Sequence, residues 1–536
     1  MKFKKLSAAI MVAVSSNAVM ALAPSAAVDV TLTISGATAV NKQIENYVNQ
    51  ICDAATLDTF ISAGDGARAY KCTVPAANSG LPGDRDVLFN KESSGSSAGV
   101  TPVTTGTTVD VVDLNTCHDT GLAEADAQLV NPLFAGDDDV ANDGQWACSG
   151  TFASANAEVG VSDVEPELFK IADNGSKTVE LNPPGGLSVF PVNAQTFGIV
   201  VSPALRDALQ AAQGLVVGSD EVSEMPSLSR AIIANIFAGN VASWDSLKND
   251  AGVGIATAAG STMPEVHVCP RRPGSGTQAQ FNAHYMKNAC AYRGAGDLGF
   301  LGFGTADDLD GIIQDSDAGT GNLDVPTNFL GFPLAGPYIY ESKGSSDLGK
   351  CITGINNQDF NGMDRWAIGI QSLEKVDEGR TNRNDYKFIA VDGVAPVLEN
   401  VAAGLYPNWA SASIQWRNDT VTGDKLVLAN KLIDTARAVS AIQTFNASLQ
   451  DDSAGTTNDD RPGGGFRTPE ILDGGVPANV GTLAFAGSVD GETGLVLESS
   501  VPFNTANPVI PFNKGLTAPS SCRVEILVDD VDVSQK

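Results

Sequence analysis

Near its beginning the chain passes from a strand pattern through a glycine turn directly into a helix pattern. Residues 28–36, VDVTLTISG, alternate apolar and polar side chains with the period of two that is typical of a strand. In the segment that follows, 36–52, apolar residues recur at helical spacing. A strand, a turn and a helix in this order indicate an α/β unit.

The same change of pattern recurs along the chain. A strand is predicted near 197–202, with a helix from about Pro203. The segment VHVC at 266–269 predicts another strand, followed by a Gly/Pro loop and a helix that begins near residue 276 or 277. From Lys431 to about Leu449 the apolar positions lie on one face of an amphipathic helix. The fold class predicted from these patterns is α/β.

Length and charge limit the classes of function. The 536 residues allow about three domains, or two large ones with additions. With 33 Lys+Arg against 63 Asp+Glu, the formal net charge is −30. A nucleic-acid partner is therefore excluded, because affinity for a polyanion comes mainly from lysines and arginines that neutralise phosphates.

The N-terminus has the layout of a secretory signal peptide over residues 1–27. Three lysines within the first five residues precede an apolar stretch and small residues, with a cleavage site after Ala27. No cysteine stands near that site, so we expect no lipid anchor. The predicted location is the periplasm or the exterior of the cell.

Eight cysteines follow the predicted signal peptide, and an even count in an exported chain indicates disulfides. Sequence alone allows 105 pairings. Pairing neighbours along the chain gives 52 with 72, 117 with 148, 269 with 290, and 351 with 522. A zinc site is disfavoured because there is no C-x-x-C and the chain has only three histidines.

Three regions depart from the α/β pattern. Residues 101–158 read as a surface insertion held by Cys117 and Cys148, and 293–345 as a second Gly/Asp-rich insertion. Residues 451–536 begin with a turn-rich linker and continue as short β-like runs. We therefore expect a β-rich C-terminal appendage.

Three turns rich in Gly, Ser and Thr are candidates for chemistry: SGAT at 35–38, SSGSSAG at 93–99 and PGSGT at 273–277. The first and third lead into predicted helices, whose free N–H groups and dipole favour an anion. Arg271 and Arg272 precede the third turn in a chain that is poor in cations. They read equally well as anion ligands or as surface ion pairs with the acidic excess.

In order along the chain, these turns and their neighbours resemble the periplasmic phosphate-binding proteins of ABC importers, which have the type II binding-protein fold. The resemblance spans residues 31 to about 417. It rests on GATA at 36–39, GSSAGV at 95–100, GVSD at 160–163, NVASWDSL at 240–247, RRPGSGT at 271–277 and VDGVAPVLENVAAGLYP at 391–407. It implies two α/β lobes within 28–450 that close over an anion.

In the first lobe the resemblance implies ligand contacts from two loops. Thr38 and the backbone N–H of Ala39 would bind ligand oxygens from the first loop. Ser97, with Ser96 as the other candidate, would do so from the second.

The resemblance also implies ligand contacts from a carboxylate and from a loop of the second lobe. Asp163 would accept the hydrogen bond of a protonated phosphate, although alone it reads as an ordinary turn residue. Arg271 would make the charge-assisted contact, and Ser275, Gly276 and Thr277 would supply hydroxyl and backbone donors.

Two positions depart from the family pattern. Pro273 stands where the family has an acidic residue, so Arg271 lacks its usual fixing partner. Ala39 stands where the family often has an aromatic residue. Another tetrahedral oxyanion or a phosphorylated small molecule therefore stays open as the ligand.

The predicted function is that of an exported solute-binding protein for phosphate or a similar oxyanion, monomeric, with an ABC permease as partner. We expect no cofactor, no metal and no catalysis. The competing hypotheses are a surface adhesion or interaction protein on the same scaffold and a phosphatase-like enzyme.

Other classes of site are disfavoured by the spacing of the residues. GSSAG at 95–99 matches the letters of a G-x-S-x-G elbow around Ser97, but none of the three histidines stands in a recognisable setting as its base, and no P-loop occurs. The acidic stretches 135–144 and 306–311 approach a calcium loop, yet Ala141 and Ala306 stand where oxygen ligands are needed.

Overall fold

The structure is a computed structural model. It describes residues 24–62, 67–119, 145–170, 174, 179, 181–287, 312–313, 337–342, 344–356, 366–374, 386–448, 481–499, 501, 503–515, 520–522 and 525–528. Most of the predicted signal peptide, most of the second predicted insertion and both acidic stretches considered for calcium lie outside these residues.

Strands and helices alternate over most of the described chain, which confirms the predicted α/β class. The strands are β1 (Val30–Gly36), β2 (Asp58–Ser62), β3 (Arg68–Val74), β4 (Arg85–Lys91), β5 (Thr108–Val112), β6 (Cys117–Asp119), β7 (Gln145–Cys148), β8 (Phe152–Asn156), β9 (Val159–Ser162), β10 (Leu187–Val201), β11 (Ser227–Leu228), β12 (Val266–Cys269), β13 (Ile312–Ile313), β14 (Tyr338–Tyr340), β15 (Trp366–Ser372), β16 (Lys387–Val391), β17 (Trp409–Arg417), β18 (Thr482–Phe485), β19 (Val509–Ile510), β20 (Phe512–Asn513) and β21 (Ile526–Leu527). The helices are α1 (Asn41–Ile51), α2 (Ala76–Ser79), α3 (Thr101–Thr105), α4 (Pro203–Ala212), α5 (Arg230–Phe237), α6 (Ile255–Ala258), α7 (Gly276–His284), α8 (Ser345–Asn356), α9 (Leu398–Ala402), α10 (Asp424–Arg437) and α11 (Val439–Ser448).

The first lobe is built on a mixed sheet of order β6-β7-β2-β3-β4-β1-β9-β17-β10-β18-β19. At its centre β1 runs parallel to β4 and to β9. The carboxyl ends of these three strands therefore lie at one edge of the sheet, where ligands bind in open α/β sheets.

The second lobe is built on a sheet of order β11-β16-β10-β15-β12-β14-β13. The two sheets share β10, which pairs with β17 up to Thr196 and with β15 from Phe197 onwards. The chain returns to the first lobe just before β17, where the Phe197 amide donates to the Asn408 carbonyl at 3.0 Å. This confirms two α/β lobes joined by crossing segments.

Each lobe has its own hydrophobic core. In the first, side chains of the central strands such as Leu32 and Phe89 pack with Ile44 and Val48 of α1. In the second, Ile199, Val268 and Ile368 pack with Ile233 of α5 and Phe281 of α7, and Trp244 is buried among them. Because the apolar residues predicted at helical and strand spacing fill these cores, the lobes hold the loops at their strand ends in fixed positions.

The C-terminal residues include short strands, as predicted, and they pack into the fold. Leu483 of β18 is fully buried opposite Ala194 of β10. Further along, the ammonium of Lys514 lies over the Trp409 ring, 4.1 Å from its centroid. The Ser521 hydroxyl donates to the Glu165 carboxylate at 2.8 Å. The appendage therefore reaches the crossing point between the lobes.

The disulfides agree with two of the predicted pairs and correct a third. Cys52 pairs with Cys72 and Cys117 with Cys148, as predicted. Cys269 pairs with Cys351, so the predicted pairing with residue 290 is wrong. The end of β12 and helix α8 pack together in space, which distance along the chain did not indicate. Cys522 is also disulfide-bonded, so 351 with 522 is wrong too.

The helix predicted from Lys431 to Leu449 is two helices in the structure. The first, α10, begins at Asp424, and Ala438 is extended, with φ −68° and ψ 128°. The second, α11, begins at Val439, whose amide donates to the Asp490 carboxylate at 3.0 Å. The helix is interrupted at Ala438 because the Asp490 carboxylate of the appendage caps the start of α11.

Parts of the predicted insertions carry regular structure. In 101–158, β5 pairs with β8 and β6 with β7. At the end of 293–345, β14 joins the second sheet beside β12. Among the described residues, no helix combines the length and the apolar character of a membrane span.

Candidate functional site

The first-lobe loops meet where β1, β4 and β9 end. The Ala37 amide donates to the Val161 carbonyl at 3.2 Å, and the Thr38 amide donates to the Ser94 carbonyl at 2.9 Å. Gly36 makes this approach feasible. Its φ is +106°, and a Cβ on it would lie 2.2 Å from the Val161 oxygen and 2.5 Å from Gly99 Cα. Only glycine fits there.

Across the cleft, the loop after β12 carries the arginine and the third turn. Ser275 is the N-cap of α7, because its hydroxyl accepts from the Gln278 amide at 3.3 Å. The Arg271 amide in turn donates to the Gln278 side chain at 2.9 Å. The start of α7, at Gly276 and Thr277, is buried. The predicted helix start near these residues is confirmed.

The two lobes touch each other through these loops. The Ser97 amide donates to the Gly274 carbonyl at 3.0 Å. The Thr277 hydroxyl donates to Asp163 Oδ2 at 3.4 Å. A Cβ on Gly276 would lie 2.4 Å from the Ser96 hydroxyl oxygen. The lobes are therefore closed over this cluster, and a side chain at position 276 would push them apart.

Asp163 lies at the centre of the contacts. It is 3% exposed, and its amide donates to the Ser96 hydroxyl oxygen at 3.2 Å. Its Oδ1 is buried and accepts no hydrogen bond from the part of the chain that the structure describes. Burial raises the pKa of the Asp163 carboxyl above its ordinary value, and the Arg271 charge, the Ser96 and Thr277 hydrogen bonds and the Lys91 charge offset this rise only in part. A buried carboxylate oxygen is thus available to a donor from a ligand.

Arg271 is also buried, and Ser345 helps to hold it. Its Nη1 donates to the Ser345 hydroxyl at 3.0 Å. The Ser345 carbonyl accepts from the Gln371 side chain at 3.0 Å. Ser345 thus supplies a fixing contact in a site where Pro273 replaces the acidic residue of the family pattern. It starts α8, at a position that the sequence pattern assigned to the end of an insertion.

The predicted site residues differ in how closely they join this cluster. Ser96, Ser97, Asp163, Gly276 and Thr277 take part in the contacts between the lobes described above. Arg271 acts on Asp163 through its charge, and Ser275 caps the helix that carries the buried loop.

The first loop, which carries Thr38 and Ala39, lies at the margin of the contact between the lobes. Thr38 is half-buried, and its backbone amide bonds to the Ser94 carbonyl of the second loop. Ala39 is buried in the one-turn 3₁₀ helix Thr38–Val40 and, within the described part of the chain, is not among the residues that make the contacts between the lobes described above.

Sequence reasoning missed three polar residues of the first lobe. The Lys91 ammonium donates to the Gly36 carbonyl at 2.7 Å, and Glu92 Oε2 accepts from the Gly36 amide at 2.9 Å. Ser94 has a buried hydroxyl that bonds to none of the residues described by the structure. The available signal was a charged pair placed directly after an apolar strand, in front of the Ser/Gly turn.

Possible metal ligands do not cluster in the part of the chain that the structure describes. Among the described residues, no cluster of three or more His, Cys, Asp or Glu side chains could hold a metal ion. The charges that act on Asp163 are those of an arginine and a lysine. The arrangement offers an anion hydroxyls, backbone amides and the Arg271 guanidinium, with the Asp163 carboxylate as acceptor.

Comparison with known proteins gives no match at the level of sequence. No family model matches the chain, and no curated protein matches it. Among solved structures, similar chains include a substrate-binding protein from Clostridium perfringens solved with bound phosphate. It has 15% identity and a TM-score of 0.37, with 78% of this chain and 97% of that chain covered.

Two further solved structures have comparable values. An ABC-type phosphate transport receptor from Vibrio cholerae has 13% identity and a TM-score of 0.30, with 79% of this chain and 95% of that chain covered. PstS from Borrelia burgdorferi has 9% identity and a TM-score of 0.29, with 78% and 96% covered.

Proposed function

We propose that this protein binds inorganic phosphate, or a similar tetrahedral oxyanion that carries a proton, between its two lobes. The observation that carries the proposal is Asp163. Its carboxylate is buried where the two lobes meet, with Oδ1 open to a donor. A carboxylate repels an anion unless the anion has a proton to donate. Asp163 therefore selects phosphate and rejects fully deprotonated sulfate.

The surrounding groups are suited to the remaining oxygens of a tetrahedral anion. The Arg271 guanidinium supplies a charge-assisted contact. Hydroxyls of Thr38 and Ser97 and backbone N–H groups at the start of α7 supply neutral donors. Most of these groups lie on loops at strand ends, so closure of the lobes brings donors from both sides to one ligand.

We further propose that the protein is exported and delivers its ligand to an ABC permease. The disulfides Cys52–Cys72, Cys117–Cys148 and Cys269–Cys351 support export, because such bonds persist in oxidising compartments. Binding and release without chemistry are the functions that this geometry supports best.

Isothermal titration of the full chain with phosphate and with sulfate tests the binding proposal. We expect heat of binding with phosphate and none with sulfate at slightly alkaline pH, because a higher pH favours the ionised form of Asp163. Heat from neither anion would contradict the proposal and would favour the interaction protein. Release of a chromophore from a phosphate ester would favour the phosphatase-like enzyme instead.

A further inference from the structure

We propose that the cleft between the lobes has a second part beside the anion site, and that the ligand of the whole cleft is a phosphate monoester of a small polyol. This inference rests on the proposed function and names the class of compound that carries the phosphate group. We call the second part the polyol subsite. It consists of the buried residues Asn193, Gln195, Ser372 and Thr482.

Gln195 is the residue that carries the inference. It is 1% exposed, and neither its amide nitrogen nor its amide oxygen bonds to any residue described by the structure. The buried Gln210 of α4 has the ordinary arrangement, because its nitrogen donates to the Ser219 and Glu224 carbonyls and its oxygen accepts from the Gly218 amide. A buried amide without partners destabilises a fold. A ligand contact therefore explains Gln195 better than packing does.

Further polar atoms of the same kind lie around Gln195. Thr482 of β18 pairs directly with Gln195, so the two side chains share one face of the sheet, and the Thr482 hydroxyl bonds to none of the described residues. Asn193, two residues earlier on β10, has a buried Oδ1 that accepts from no residue in the described part of the chain. The same holds for the buried hydroxyl of Ser372, which pairs with Phe197 at the end of β15. Three strands thus bring such atoms to the crossing of the lobes.

The polyol subsite is contacted from both lobes. Asn193 Nδ2 donates to the Tyr47 hydroxyl at 2.9 Å and to Gln43 Oε1 at 3.2 Å, so this face of β10 lies against α1 of the first lobe. Gln43 Nε2 in turn donates at 2.9 Å to Glu374, which follows β15 in the second lobe. Alternation along the strand puts Gln195 on the same face as Asn193. A ligand in the subsite would therefore be held from both lobes, as the anion is.

The strand register places the subsite next to the anion site. Ala412 of β17 pairs with Asn193, and the next residue of β17 pairs with the last residue of β9, directly before Asp163. Asp163 and Asn193 therefore stand at the same level, two strand spacings or about 10 Å apart. Because β9 and β10 both run antiparallel to β17, Gln195 lies further towards the edge of the sheet where β9 ends. A small polyol esterified to a phosphate at Asp163 can span this interval.

The available atoms suit hydroxyl groups. The Gln195 amide offers donors and an acceptor, the Thr482 and Ser372 hydroxyls can each donate and accept, and Asn193 Oδ1 accepts. A hydroxyl also donates and accepts, so neighbouring hydroxyls of a polyol match this set. An alkyl group would leave the same atoms without partners. An acidic group would meet the carboxyl group of Glu374 and the amide oxygens.

The test is isothermal titration of the full chain with inorganic phosphate, glycerol 3-phosphate and ethyl phosphate. A pH of about 6 is near the second pKa of a phosphate monoester, so a proton remains for Asp163. Ethyl phosphate has the same ester linkage without hydroxyls. We expect glycerol 3-phosphate to bind about tenfold more tightly than ethyl phosphate, because its hydroxyls pair with the buried groups.

The outcomes separate this inference from the proposed function. Equal affinities for the two esters, or binding of inorganic phosphate alone, would overturn the inference and leave the proposed function intact. If none of the three compounds binds, the proposed function fails and the inference fails with it.

Gln195→Leu distinguishes a ligand contact from a structural role. The variant should bind glycerol 3-phosphate about tenfold more weakly and keep its affinity for inorganic phosphate and ethyl phosphate. Because the substitution removes a buried amide without partners, unfolding should need an equal or higher urea concentration. If the variant does not fold, Gln195→Met takes its place. An equal loss of affinity for all three compounds would overturn the inference.

Gln210→Leu is the matched control. It makes the same substitution at a buried glutamine whose amide is fully bonded within the second lobe. It should lower the urea concentration of unfolding and leave the preference for glycerol 3-phosphate unchanged. The same change of preference in both variants would count against the polyol subsite.

Discussion

Gly276 lies directly against residues of the opposite lobe. A Cβ there would lie 2.4 Å from the Ser96 hydroxyl oxygen and 2.9 Å from Asp163 Cβ. These atoms belong to short, buried side chains with little freedom to move. The spacing R-x-x-G-S-G-T indicated a tight turn, but the need for glycine at this particular position arises from the opposite lobe.

We predict that Gly276→Ala weakens phosphate binding without unfolding the protein. The extra methyl group opposes closure at a cost of about 1–3 kcal/mol, which corresponds to binding weaker by about fivefold to a hundredfold. Gly83→Ala is the matched control, because a Cβ there meets only Arg85 Nη1, at 3.4 Å. Isothermal titration measures both variants. Equal affinities in the two variants would contradict the closed arrangement of the lobes.

At the scale of elements, β18 is an integral strand. Leu483 is fully buried between the crossing strand and the core of the second lobe. We predict that Leu483→Ala lowers the free energy of unfolding by about 2–5 kcal/mol. Leu495→Ala, in the same appendage but 68% exposed, should change it by less than about 0.5 kcal/mol. Urea denaturation compares the two; similar small changes would mean that the appendage is peripheral.

The elements differ in how far the sequence could predict them. Strands such as Val30–Gly36 and Val266–Cys269 follow from local alternation, and their glycine turns mark the helices that follow. The pairing of Cys269 with Cys351 and the break at Ala438 depend on contacts between distant segments. Such contacts leave no local pattern.

The sequence could predict the site residues that lie in recognisable loops, but not those that reach the site from distant segments. The first and third turns could be placed because they follow predicted strands, whereas Asp163 was indicated only by the resemblance to phosphate-binding proteins. Ser345 could not be placed, because it contacts Arg271 across 74 residues of chain. Lys91 was overlooked because a lysine at the end of a strand usually points to solvent, and here the packing of the first lobe buries it.

At the scale of the whole molecule, a chain of net charge −30 can still hold a small anion. A desolvated cleft responds to its nearest groups, while salt screens the distant charges. Here the nearest groups include Arg271 and Lys91, hydroxyls and the amides at the start of α7. In the structure the two lobes, joined through β10, bring these groups together.

The ratio of phosphate affinity to sulfate affinity, in the unaltered protein and in Asp163→Asn, tests the central role of Asp163 most directly. Asparagine keeps the size of the side chain, removes its charge and adds an N–H donor. Titrated at slightly alkaline pH, the unaltered protein should favour phosphate by about a hundredfold or more. In Asp163→Asn the two affinities should approach each other. A ratio that survives the substitution would contradict selection of a protonated oxyanion by Asp163.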